Sequence, residues 1–176
     1  MVVCFTGHRP NTLPGGYNYF SEPNIALGKA LRKEIIKLIE QGASHFICGG
    51  ALGVDQMAFM VCKKLRDQGY KITIELAIPF KNQPNKWMKD QRDRHEEHIK
   101  LADKVTYVDT LPGYKITGLM EGVYSPDKLK IRNNYMIDNC DKVIAVFTGV
   151  PSGTMHAINQ AKKQGKEVII IDPNNV

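Results

Sequence analysis

The sequence predicts an α/β fold in which a doubly wound, mostly parallel sheet carries helices on both faces. Three observations predict it. Strand-like and helix-like segments alternate over nearly all of the 176 residues. Segments such as 143–147 (VIAVF) and 168–171 (VIII) are apolar on both sides, as central parallel strands are and half-exposed antiparallel strands are not. Glycine, hydroxyl and basic residues gather directly after the strands, where ligands of open α/β sheets sit.

The elements follow in order. Residues 2–6 are a short β-rich run ending at Gly7. Residues 24–41 read as a helix, with Ile25, Leu27, Leu31, Ile35, Leu38 and Ile39 near helical spacing, Ser21 as a cap, Pro23 in the first turn and Gly42 as the stop. Residues 45–48 form a second strand, and a helix over 54–67 is closed by Gly69. A third strand, 72–78, ends at Pro79. The charged stretch 86–102 reads as a helix and 104–108 as a fourth strand; 109–124, with several glycines and no period, reads as a loop. Ser125-Pro126 opens a helix to 139, 143–147 is a fifth strand, 154–164 a helix ended by Gly165, and 168–171 a sixth strand. The whole, residues 1–176, is expected to be one domain of the Rossmann-like type, since no linker or repeat divides it and its length suits one core.

Composition narrows the partners. No apolar run approaches the roughly 18 residues a membrane span needs, and MVVCFTGHRP meets Gly7 and His8 too early for a signal peptide. A cytoplasmic location is therefore expected, with no membrane partner. The cysteines, Cys4, Cys48, Cys62 and Cys140, form no C-x-x-C pair and read as reduced, buried thiols; no metal site is expected. A net charge of +6 favours an anionic partner. The densest charges, 86–104, mix Lys86, Lys89, Arg92 and Arg94 with Asp90, Asp93, Glu96 and Glu97, which reads as a solvated helix face and not a nucleic-acid patch.

The candidate ligand residues lie after the first, second and fifth strands and on the helix before the fifth, and Pro79-Phe80-Lys81 marks the same end of the sheet after the third. Gly7-His8-Arg9 leaves the first: Arg9 suits bidentate phosphate binding, and His8 is a binding or acid–base group. Gly49, Gly50 and Gly53 separate the second strand from its helix, either to let backbone N–H groups approach phosphate or only to make a tight turn. Asp55 bonds a ribose hydroxyl or caps that helix. Ser152-Gly153-Thr154 repeats the pattern after the fifth strand, with a plain cap as the alternative. His156 faces the ligand or packs elsewhere. Arg132 and Asn133 sit on the helix before the fifth strand, where the arginine either reaches over the sheet edge or stays solvated. Trp87 and Tyr107 read as packing residues.

Taken in order, GHRP, GGALGVDQMA, IPF with a following Trp87, RNNYMID, and SGT leading to GK and VIII resemble the SLOG superfamily along essentially the whole chain, most of all its YpsA-like group. DNA processing protein A and the LOG (lysine-decarboxylase-like) phosphoribohydrolases are more distant members. The resemblance implies a site for a nucleotide-derived phosphate ligand: ADP-ribose, NAD, a nucleoside monophosphate or a cyclic signalling nucleotide. Gly49, Gly50, Gly53 and Asp55 would form one half; Ser152, Gly153 and Thr154, with Arg132 and Asn133, the other. It also implies a homo-oligomer. The LOG enzymes follow their glycine motif with an acidic pair whose glutamate serves N-glycosidic hydrolysis. Here Met155-His156-Ala157 follows Thr154, and the next acid is Glu167. The expectation is therefore a binding module that senses or sequesters its ligand, with no cofactor beyond that ligand. One alternative is a hydrolase using Asp55, His8 or His156. The other is single-stranded DNA binding through Arg9, Lys81 and Arg132, for which no basic groove with aromatic platforms is apparent.

Overall fold

A computed structural model describes residues 1–176. Six strands, β1 (Val2–Gly7), β2 (His45–Cys48), β3 (Thr73–Ile78), β4 (Lys104–Tyr107), β5 (Lys142–Val146) and β6 (Glu167–Ile171), form one sheet in the order β4-β3-β2-β1-β5-β6. Every neighbouring pair is parallel. The chain winds outward from β1 to β4, then returns to place β5 on the other side of β1. The strand order thus reverses between β1 and β5, and ligand crevices open at such reversals.

Helices α1 (Glu22–Glu40), α2 (Val54–Asp67), α3 (Lys89–Leu101), α4 (Pro126–Asp138) and α5 (Gly153–Lys163) cover both faces. Strand residues alternate between them. Phe5, Phe46, Ile74 and Leu76 pack with Leu31 and Ile35 of α1 and Phe59 and Leu65 of α2. On the opposite face Cys4, Ile47, Ala77 and Val143 meet Met136 of α4 and Ala157 and Ala161 of α5. The four cysteines are buried free thiols. No helix is long and apolar enough to cross a membrane.

Three local expectations need correction. Ser21 occupies the N-cap of α1, but its hydroxyl donates to the Gly15 carbonyl (3.3 Å) and not back to the helix. Helix α3 starts at Lys89 because Pro84 favours a separate 3-10 turn over Gln83–Lys86. Its charged residues form the expected solvated face, while Gln91, His95 and His98 on the opposite side are buried, and His98 stacks on Phe59 with ring centroids 4.4 Å apart. The stretch 109–124 contains two short 3-10 turns, the first beginning at Val108, so β4 ends at Tyr107. Lys128 of α4 holds this stretch from below. Its buried ammonium donates to Asp109 Oδ2 (2.8 Å), Met120 O (2.6 Å) and Val123 O (3.0 Å).

Candidate functional site

Beyond the carboxyl ends of β1 and β5 lies a cleft of about 700 Å³, at the size of ordinary small-molecule sites. Nine of the sequence-derived candidates line it: Gly7, His8, Arg9, Asp55, Arg132, Asn133, Ser152, Gly153 and Thr154. Gly49, Gly50, Gly53 and His156 do not.

Gly49 and Gly53 of the second loop are required by packing, whereas Gly50 has φ +70° and no close neighbour. A Cβ on Gly49 would fall on the Arg132 guanidinium and the Asp55 carboxylate. Gly53 has φ +95°, and a Cβ there would sit 2.6 Å from the His8 carbonyl oxygen. A Cβ on Gly7 would meet the Val54 side chain at 2.6 Å. These positions let the amino end of α2 press against the exit of β1, where Val54 N–H donates to His8 O (3.3 Å). The loop's contribution to the cleft wall is Ala51, Leu52 and Asp55. Gly53→Ala is expected to cost roughly 1–3 kcal/mol, because it combines a strained φ with a backbone collision. Chemical denaturation reads this; an unchanged midpoint would show that the loop relaxes freely.

Arg132 is buried, so its solvated-surface alternative fails. Its Nη1 donates to the Gly49 carbonyl and to Asp55 Oδ2 (3.2 Å), and its Nε donates to Asn133 Oδ1 (3.0 Å). Burial lowers the guanidinium's pKa, and the Asp55 charge opposes that shift. Nη2 makes no intramolecular hydrogen bond and is left to the cleft that Arg132 lines. Asp55 Oδ2 also accepts from Ala51 N–H (3.2 Å). Its carboxylate is thus held by Arg132 and the loop.

His8 is buried and stacks on Phe147. Thr148 N–H donates to its Nε2 (3.0 Å), so the ring proton sits on Nδ1, and burial lowers its pKa. It is a neutral post that fixes the loop after β5. His156 is exposed on α5, outside the cleft.

The first turn of α5 opens onto the cleft. Ser152 Oγ accepts from Met155 N–H (3.4 Å), which leaves the N–H groups of Gly153 and Thr154 without an acceptor inside the helix. Residues from the first turns of α2 and α4, Asp55 and Pro126, line the same space. Three helix amino termini therefore place partial positive charge around it. Among lining side chains Arg9, Lys130 and Arg132 stand against a single carboxylate, Asp55. The arrangement suits an anion.

A model of the YspA SLOG family matches residues 3–175. The chain belongs to that family. Among relatives of this YspA SLOG member is YoqJ, an uncharacterised SPbeta prophage-derived protein of Bacillus subtilis (strain 168). It is 36% identical over 138 residues, covering 76% of this chain and 81% of YoqJ. A UPF0398 protein of Bacillus cereus is 27% identical over 167 residues, covering 94% of this chain and 84% of the relative. Among solved structures, DNA processing protein A from Helicobacter pylori, studied for its single-stranded DNA binding mode, superposes with TM-score 0.60 at 17% identity. That alignment covers 98% of this chain and 65% of the other, so this chain spans less than two thirds of that protein. At this identity the likeness concerns the fold.

The sequence reading of this SLOG chain missed Asn11, Thr12, Lys130 and Thr148 in the cleft wall. Thr148 lies two residues past β5, so the strand-end rule that found Ser152 could have found it too. Thr12 carries a weaker signal: its hydroxyl donates to Arg9 O (3.0 Å), closing the turn that carries Arg9. Tyr17, Phe80, Trp87 and Tyr124 line a second groove that shares Arg9, Asn11, Leu52 and Leu129 with the cleft. Trp87 is half-buried against His95, as its packing role predicts, with one side on this groove.

Proposed function

We propose that this protein binds a nucleotide-derived phosphate ligand and acts as a sensor or sequestering module. The observation that carries the reading is the amino terminus of α5, whose Gly153 and Thr154 N–H groups open onto a cleft walled by Arg9, Lys130 and Arg132. The phosphate sits at that terminus, with Arg132 Nη2 opposite it. ADP-ribose, NAD, nucleoside monophosphates and cyclic nucleotides all carry the anion this wall suits.

Two features favour binding over hydrolysis. Asp55, the one carboxylate in the lining, is engaged by Arg132 and by Ala51 N–H. His8 Nε2 is engaged by Thr148 N–H. A general base needs a free lone pair aimed at its proton; His8 Nε2 has its only one committed, and Asp55 is tied through Oδ2 to the Arg132 guanidinium.

The test incubates the protein with those ligand classes, desalts and denatures it, and identifies the released molecule by mass spectrometry. An intact ligand in stoichiometric amount is expected. Fragments formed beyond one equivalent would replace the sensor with an enzyme. In parallel, Gly153→Phe should weaken binding by about 100-fold, since two charge-assisted N–H bonds are blocked. A Cβ at Gly153 meets no atom within 4 Å, so the variant should fold normally. Unchanged affinity in it would remove α5 from the site.

A further inference from the structure

The second groove holds aromatic side chains that no part of the fold explains. Tyr17 and Tyr124 are 57% and 59% exposed, although each borders a concave surface. Phe80 lies beneath, its ring edge-on to Tyr124 at 5.8 Å. The Lys86 ammonium stands 5.9 Å from the Tyr124 ring centroid, so the rim is basic. Gln83 is an independent sign. It is 9% exposed and lines the groove, yet its side-chain oxygen has no hydrogen-bond partner. A buried acceptor without a donor costs free energy unless something supplies one.

We propose that this groove seats the ligand's nucleobase, with Tyr17 and Tyr124 as stacking faces and Gln83 as the reader of its edge, and that it prefers adenine. Stacking needs an exposed aromatic face beside a phosphate site, and every base has a π-face to offer. A glutamine amide matches adenine, its oxygen accepting from the amino group while its nitrogen donates to N7. The shared wall at Arg9 and Leu52 makes phosphate cleft and base groove one continuous surface. The inference rests on the cleft holding the phosphate. It adds that the protein distinguishes a nucleotide from a sugar phosphate. A free adenine nucleotide and an unpaired adenine in a nucleic-acid strand present the same chemistry to this groove.

The experiment titrates AMP, UMP, ribose 5-phosphate and a single-stranded oligoadenylate against the wild-type chain and the variants Tyr17→Ala, Tyr124→Ala, Gln83→Leu and Gly153→Phe. Each tyrosine replacement should weaken AMP about tenfold, the scale of one lost stacking contact, and leave ribose 5-phosphate unchanged. Gln83→Leu should erase the preference for AMP over UMP. Both tyrosines are exposed, so melting temperatures should not move. AMP affinity that is wild-type in the tyrosine variants, or that equals that of ribose 5-phosphate in the wild type, overturns the groove while leaving the cleft intact. If Gly153→Phe alone has no effect, the phosphate assignment fails while the groove stands. Oligoadenylate binding that needs the tyrosines and falls steeply with salt would name a strand as the source of the base; tyrosine-dependent AMP binding without it would name the free nucleotide. Sedimentation supplies the remaining check. Tyrosine variants that dissociate into smaller species with unchanged AMP affinity would assign this face to a second copy and overturn the proposal.

Discussion

Arg132→Met should lower the unfolding free energy by about 3–5 kcal/mol, because it strands the Asp55 carboxylate inside the protein. The ion pair is nearly inaccessible on both sides, with side-chain exposures of 5% and 10%. The guanidinium also occupies the space Gly49 leaves open and bonds that residue's carbonyl. One substitution therefore removes a countercharge, a carbonyl donor and the volume between two loops. The double variant Asp55→Asn/Arg132→Met should recover part of the loss, since no uncompensated charge remains. Urea denaturation of the four proteins gives the coupling directly. Additive losses would mean that the two side chains do not depend on each other. The same replacement should weaken phosphate-ligand binding at temperatures where the variant is still folded, because one of the three cations lining the cleft is gone.

Acid should destabilise this protein over two adjoining ranges of pH. His98 is fully buried, its two ring nitrogens have no partners, and burial together with the nearby His95 and Arg94 charges lowers its pKa to about 4. The unfolded chain takes up the proton near pH 6.5, whereas the folded one resists it until about pH 4. Stability is therefore lost as pH falls through that window, by about 3 kcal/mol from this residue at 1.36 kcal/mol per unit. Buried His95, its pKa also lowered by burial, acts in the same direction. Glu75 supplies the second range. Burial alone would raise its pKa, but hydrogen bonds from His45, Tyr135, Thr106 and Lys104 outweigh that and bring it down to about 2. The distances are 3.1 Å from His45 Nε2, 2.7 Å from both Tyr135 and Thr106 hydroxyls, and 3.0 Å from Lys104. A lowered carboxylate stabilises the fold above its unfolded pKa, so this contribution disappears as pH drops from about 4.5 toward 2. Denaturation midpoints measured from pH 8 to pH 3 should fall in both windows. His98→Leu should flatten the upper one and leave the lower. A profile unchanged in His98→Leu would place the upper transition elsewhere.

The sequence named the cleft better than it named the roles within it. Arg9, Ser152, Gly153 and Thr154 lie in or just past the loops that leave strands and were legible as site residues, because strand ends are a local feature. Asp55 was legible as important but not as the partner of Arg132, which lies 77 residues away. The glycines of the second loop carried a phosphate-loop signal. Gly49 leaves room for Arg132 and Gly53 for the backbone of His8, and neither neighbour is visible from the glycines themselves. The charged face of α3 was legible from composition, whereas the burial of His95 and His98 on its inner side was not.

What the sequence by itself determined was the fold class, the order of the elements and the end of the sheet where polar residues gather. Those follow from apolar periodicity and from the residues that start and stop each element, all read over a few positions. Only the tertiary structure decided which distant residues meet: Arg132 with Asp55, His8 with Thr148, and Tyr17 with Tyr124 across one groove. The physical reason is the strand order. Placing β5 beside β1 brings the return loops of distant segments over one crevice, and that pairing depends on long-range packing that no local pattern encodes.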